Sequence, residues 1–137
     1  MTSSEIVAFD RLKHAQLRPT RQRMALAALM FEDGDRHFTA EQIFAEAQAA
    51  DIQVSLATVY NTLHQFTEAG LLREVVMAPG RSYFDTNTEE HHHFYYEDTG
   101  ELCDIPGPAV TLACCPAPPD GAEITRIEVI IRVGTKS

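Results

Sequence analysis

Gln53-Val54-Ser55-Leu56-Ala57-Thr58-Val59-Tyr60-Asn61-Thr62-Leu63-His64-Gln65-Phe66 decides how this chain is read. Ser55 suits a helix N-cap, because its hydroxyl can accept from an amide of the first turn that lacks an intrahelical partner. Leu56, Val59, Leu63 and Phe66 then recur at helical spacing as one apolar stripe. The opposite face carries Ala57, Thr58, Tyr60, Asn61 and His64. A helix that meets only water would carry Glu and Lys there. Small, hydroxylic and amide side chains suit a DNA major groove instead: Thr and Ala meet a thymine methyl, Asn an adenine edge, Tyr a phosphate. Gly70 ends the helix, since a left-handed terminal residue is cheap for glycine. An ordinary packed helix with a bland surface is the competing interpretation.

The residues before this stretch predict three more helices. The first spans about Ser4 to His14, with Ile6, Phe9 and Leu12 on one face. Leu17-Arg18-Pro19-Thr20 breaks it, because proline disfavours a helical residue before it. A second helix starts near Thr20 and carries Met24, Leu26, Ala27, Leu29, Met30 and Phe31. Asp33-Gly34-Asp35 is a turn. Thr39, with Gln42 in capping-box spacing, opens a third helix whose core face is Ile43, Phe44 and Ala47. Short helices with the last one exposed form the helix-turn-helix pattern.

After Gly70 the period changes. Leu71–Met77 and Ser82–Phe84 read as strands around the turn Ala78-Pro79-Gly80-Arg81. A hairpin directly after a recognition helix is a wing, with Arg73 and Arg81 placed to meet phosphates. The predicted fold class is therefore α+β: an N-terminal winged helix-turn-helix domain over residues 1–84, a polar hinge over 85–90, and a small β-rich domain over 91–137. The last part contains apolar runs at His92–Tyr96, Leu102–Ile105 and Ile124–Val133, separated by the proline-rich stretch Pro106–Gly121. Fewer than fifty residues bury a core poorly alone. A homodimer that joins two such sheets answers that, and it matches a two-fold DNA site.

Composition sets limits. The 137 residues carry a net charge of −9, which looks wrong for a DNA binder. Residues 1–88 hold 8 basic and 11 acidic side chains, net −3; residues 89–137 hold 3 and 9, net −6. Arg11, Lys13, Arg18, Arg21 and Arg23 form a local basic face, and that matters more to phosphates than the total. No apolar run approaches the roughly 20 residues that span a bilayer, and Met1–Glu5 does not begin a secretory signal. Three cysteines, two of them adjacent, fit a reducing cytoplasm.

Glu89-Glu90-His91-His92-His93 carries the chemistry. In a strand His91 and His93 share one face and His92 points to the other. Two imidazoles with carboxylates favour Fe, Mn, Zn or Co over Mg or Ca. His37 and Asp85, isolated polar residues at element ends, complete the shell if the two domains fold toward each other. Cys115-Pro116 is a weak signal for a haem thiolate, against a plain small apolar cysteine. No CxxC pair is present, which argues against a thiolate zinc site.

Leu17-Arg18-Pro19-Thr20-Arg21-Gln22-Arg23, His37-Phe38-Thr39-Ala40-Glu41, Leu56-Ala57-Thr58-Val59-Tyr60, Gly70-Leu71-Leu72 and the histidines resemble the ferric uptake regulator family in order and spacing. The match runs from about residue 16 to 105. The family's CxxC falls on Tyr96 and Thr99, so its structural zinc is absent. His91–Leu102 with Asp104-Ile105-Pro106 looks like the iron response regulator branch. The resemblance implies a bacterial, cytoplasmic, dimeric transcription factor on a two-fold AT-rich DNA operator, with no enzyme activity and no membrane. It maps an interdomain site for a divalent transition metal (Mn, Fe or Zn) onto His37, Asp85, His91, His93 and Asp104. The branch is associated with haem sensing, and the segment implicated is His91, His92 and His93. The DNA-binding set it implies, together with the helix face, is Arg18, Arg21, Arg23, Ser55, Ala57, Thr58, Tyr60, Asn61, Arg73 and Arg81. Arg18 takes the place of a basic residue that relatives insert in an AT-rich minor groove, Tyr60 matches the recognition-helix tyrosine, and Asn61 replaces a common arginine. The expected function is a metal- or haem-responsive regulator of iron homeostasis. A peroxide sensor of the same family is the alternative. A metalloenzyme and a metal buffer both leave the recognition face unexplained.

Overall fold

A computed structural model of the chain describes residues 2–78, 81–89 and 91–136. The fold is α+β, in two compact units, Met1–Thr88 and Glu89–Ser137. The expected Pro79-Gly80 turn and Glu90 lie outside the described residues.

The first unit contains α1 (Ser3–His14), α2 (Arg21–Phe31), α3 (Ala40–Ala49) and α4 (Leu56–Glu68). Each helix starts where a hydroxyl can cap it. Thr20 accepts from the Arg23 amide, Thr39 from Gln42 and Ser55 from Thr58. Thr39 and Gln42 make the reciprocal box that their spacing predicts. Thr2 and Glu5 make another on α1, one residue ahead of the expected start. At the far end of α4, Gly70 sits at φ +84°. The Gly70 and Leu71 amides turn back to the carbonyls of Thr67 and Phe66.

The helices enclose Leu12, Leu26, Met30, Ile43, Val59, Leu63 and Phe66. Strand residues Phe38 and Phe84 join them. β1 (His37–Phe38) pairs antiparallel with β3 (Arg81–Asp85), which also pairs with β2 (Arg73–Ala78), in the order β1-β3-β2. Phe38 opposes Phe84, and both join the helical core. His37 opposes Asp85 on the other face, because side chains alternate along a strand.

Three expectations need correction here. Strand β1 has no counterpart in the sequence reading, since two residues carry no periodicity. Asp85, assigned to the hinge, is the last residue of β3 and is fully buried. Arg73 is 4% exposed, not a surface cation. It opposes Asp85 in the ladder and shares a face with the buried Val75 and Tyr83. Strand parity therefore turns it away from solvent, and phosphate contact is lost.

The second unit is built on β4 (His92–Tyr96), with β5 (Leu102–Ile105) antiparallel on one side and β6 (Ile130–Val133) parallel on the other. The proline-rich stretch contributes a 3-10 turn, Gly107–Ala109, and a tight turn closed by the Ala122 amide on the Pro119 carbonyl at 3.0 Å. The expected strand over Ile124–Val133 is ordered as a ladder only from Ile130. Its start is set by the Val129 carbonyl, which accepts from the His93 amide at 3.2 Å. Among the described residues no helix is long and apolar enough to cross a membrane.

Candidate functional site

Each unit presents its own set of imidazole and carboxylate groups. In the first unit His37 Nε2 lies 3.3 Å from Asp85 Oδ2, with Asp85 almost wholly buried and His37 half-buried. The Asn87 amide donates to Asp85 Oδ1 at 2.9 Å and holds the carboxylate still. The backbone around the pair is fixed from both sides. The Arg36 amide donates to Thr86 Oγ1 at 2.9 Å, and the Thr86 amide donates to the Arg36 carbonyl at 3.1 Å. The Arg36 guanidinium forks onto Glu46 at 3.0 and 2.7 Å and donates to the Leu29 carbonyl at 3.1 Å. The Glu46 bond raises the guanidinium above its ordinary range, so this brace stays charged.

In the second unit His91 and His93 converge on one oxygen. Their Nε2 atoms lie 3.1 and 3.5 Å from Asp104 Oδ1, and their ring centroids are 4.5 Å apart. Register explains this: His93 opposes Asp104 across the ladder, and His91 lies two residues before it on the same side. Both histidines are buried, His93 completely. His91 Nδ1 stands 2.6 Å from the Glu89 carbonyl. A carbonyl only accepts, so Nδ1 carries the hydrogen. In the neutral ring, Nε2 then turns a lone pair toward the carboxylate. Two lone-pair carriers at 3.1 Å repel unless a proton or a cation lies with them. The donor set is borderline nitrogen plus hard oxygen, which suits a first-row divalent ion and fits calcium or magnesium poorly. His93 Nδ1 lies 4.0 Å from Glu128 Oε1, an ion-pair approach longer than a hydrogen bond. His92 faces the other way, and its Nδ1 accepts from the Val129 amide at 2.9 Å.

The second candidate surface is the outer face of α4. Ala57, Asn61 and His64 are exposed, and Thr58 and Tyr60 are half-buried. Val59, Leu63 and Phe66 point into the core, Leu56 half so. Ser55 Oγ is 2.9 Å from Thr58 Oγ1, in addition to its cap bond. Arg18, Arg21 and Arg81 are exposed. Arg23 is half-buried and donates to the Arg18 carbonyl and to Gln65 Oε1, bracing the loop before α2 against α4. Tyr60 donates its phenolic hydrogen to Glu41 Oε1 at 2.5 Å.

Glu41 and Glu128 escape sequence reasoning. Glu128 is a lone acid inside a β-branched run, Ile127-Glu128-Val129, and such a residue usually has a partner. Glu41 gives no signal, because an acid in a first helical turn is ordinary.

The ferric uptake regulator family model matches residues 14–113. The peroxide operon regulator of Bacillus subtilis is 33% identical over 103 residues, 75% of this chain and 70% of that protein. The peroxide-responsive repressor PerR of Staphylococcus aureus is 32% identical over 97 residues, 71% of this chain but 65% of its own length. Among solved structures, the ferric uptake regulator from Pseudomonas aeruginosa with manganese superposes with a TM-score of 0.72, at 25% identity, covering 96% of this chain and 99% of that one. A zinc-bound manganese uptake regulator shares the fold, with a TM-score of 0.67 at 21% identity over 98% of this chain and all of the other.

Proposed function

The chain belongs to the ferric uptake regulator family, and from that premise we propose that it is a dimeric, metal-responsive DNA-binding regulator of iron homeostasis in the bacterial cytoplasm. The observation that carries this is the convergence of the buried His91 and His93 on one oxygen of Asp104, on the same chain as an uncharged, outward helix face on α4. In this reading His37 and Asp85 join His91, His93 and Asp104 in one shell for Mn, Fe or Zn. Two supports come from within each unit: donors already paired at 3.1–3.5 Å, and a backbone brace at Arg36 and Thr86 that fixes one of the pairs. A bound divalent cation would supply positive charge that favours one arrangement of the five side chains.

The rest is done by the protein. A fixed arrangement of two units sets the spacing of two α4 helices in a dimer, which must match half-sites about one DNA turn apart. Ligand then shifts the equilibrium by its differential affinity for that arrangement. Arg18, Arg21, Arg23, Ser55, Ala57, Thr58, Tyr60, Asn61 and Arg81 make up the DNA surface. Haem is a further effector suggested by His91-His92-His93 and the iron response regulator resemblance. His92 would ligate through Nε2, since Nδ1 is occupied by the Val129 amide.

A peroxide sensor is the second reading, favoured by the two peroxide regulators at 32–33% identity. One experiment separates the two. The untagged protein is titrated with Mn2+, Fe2+ and haem, and duplex binding is followed by gel shift. Metal- or haem-dependent binding that survives peroxide supports the iron reading. Loss of binding with one added oxygen on His37 or His91, after peroxide with iron, supports the other. Binding that ignores all three ligands rejects both.

A further inference from the structure

Tyr60 and Glu41 define something that the general reading of a DNA-contacting tyrosine does not contain. A phenol has one hydrogen to donate. Here that hydrogen is given to Glu41 Oε1 at 2.5 Å, the length of a charge-assisted O–H···O⁻ bond. Glu41 lies in the first turn of α3, just after the Thr39 cap, where the helix end favours a negative charge. The bond to Tyr60, then the backbone, hold its carboxyl below the usual range; the same bond holds the phenol above its own. Both groups therefore keep these roles across the neutral range.

We propose that Glu41 is a specificity-determining residue: by taking the one hydrogen of Tyr60 it leaves the recognition helix with a phenol oxygen that only accepts. In the major groove an acceptor is complementary to the amino groups of adenine N6 and cytosine N4. It is not complementary to thymine O4, guanine O6 or N7, or a phosphate oxygen. The surroundings act in the same direction. Tyr60 and Glu41 border a groove of about 530 Å³ between α3, α4 and the β2–β3 hairpin, shared with Thr39, His64, Glu74 and Arg81. Glu41 and Glu74 bring two carboxylates to that lining against the single guanidinium of Arg81, a local balance of charge that disfavours a phosphate beside Tyr60. Tyr60 thus reads a base where the sequence suggests a backbone contact, and Glu41 turns away duplexes that offer only phosphates.

This inference rests on the DNA-binding reading. Its test starts from the full chain loaded with Mn2+, which selects a duplex from a random library; a scrambled duplex of the same composition is the reference. Glu41→Ala is expected to tighten binding to the scrambled duplex and to lower the selected-to-scrambled ratio about tenfold, the worth of one base contact. Glu41→Gln, whose amide oxygen still accepts, should recover part of the ratio. Replacing the contacted adenine by purine, or cytosine by 2-pyrimidinone, should weaken the parent chain and leave Tyr60→Phe unaffected. Alkaline absorbance titration without DNA should show one tyrosine ionising late in the parent and earlier in Glu41→Ala. No enriched duplex would overturn the regulator reading and this inference with it. An enriched duplex whose selected-to-scrambled ratio is untouched in Glu41→Ala would overturn the inference alone.

Discussion

His93 is fully buried, with Asp104 on one ring nitrogen and Glu128 facing the other. A buried polar ring is retained only with partners, so removing it should be felt first in ion binding. His91→Ala and His93→Ala should each lower Mn2+ or Zn2+ affinity by at least about tenfold, the loss seen even for partners one step outside a metal shell; calorimetric titration checks this. Glu41 gives a pH prediction. Its carboxyl is depressed chiefly by the Tyr60 hydroxyl, so the bond's contribution is present above the ordinary Glu range. It is lost as pH falls through the depressed folded value. Carbon NMR of the Glu41 carboxyl should therefore titrate at lower pH in the parent than in Tyr60→Phe. Cys103 is half-buried, while Cys114 and Cys115 are exposed. Burial, then Glu101 and Asp104, push its thiol up, and only the thiolate reacts. Iodoacetamide near neutral pH should modify Cys114 and Cys115 well before Cys103, read by peptide mass.

At the scale of elements, local chemistry was legible wherever one residue decides a boundary. Thr20, Thr39, Ser55 and Gly70 punctuate the helices as the sequence implies. Ser55→Ala should cost about 1 kcal/mol in urea unfolding through the lost cap. Gly70→Ala should cost about 1–2 kcal/mol from the left-handed backbone alone, since nothing crowds a Cβ there. Elements defined by partners were not legible. β1 has two residues, and its reason to be a strand is the free edge of β3. Ile124–Glu128 has strand composition but no ladder, because β6 pairs with β4 only from Ile130 onward. Arg73 shows the same limit: its residue type suggests surface, and the hairpin register buries it.

For the whole molecule, the second unit leaves an apolar face exposed. Phe94 and Ile131 are register partners, at 36% and 38% exposure. A three-stranded sheet of this size gains by joining a second copy. Phe94→Glu combined with Ile131→Glu should shift the chain toward monomer in sedimentation equilibrium, with helix content unchanged. A resident ion that binds only folded protein stabilises it by mass action. A hundredfold excess over Kd is worth about 2.7 kcal/mol. Chelation should therefore lower the unfolding midpoint of the parent and do little to the His91→Ala, His93→Ala double variant.

The sequence by itself determined the α+β class, the caps, the helical core face and the strand parity that sets His91 beside His93 and apart from His92. These follow from short-range rules: a hydroxyl reaches its own first turn, and side chains repeat every 3.6 or 2 residues. Only the tertiary structure decided that Asp104 opposes His93, that Asp85 faces His37, that Glu128 stands behind His93, and that Glu41 holds the hydrogen of Tyr60. Each of these depends on which strand or helix packs beside which, and at what register. That is settled by burial summed over the entire unit, which no local pattern encodes.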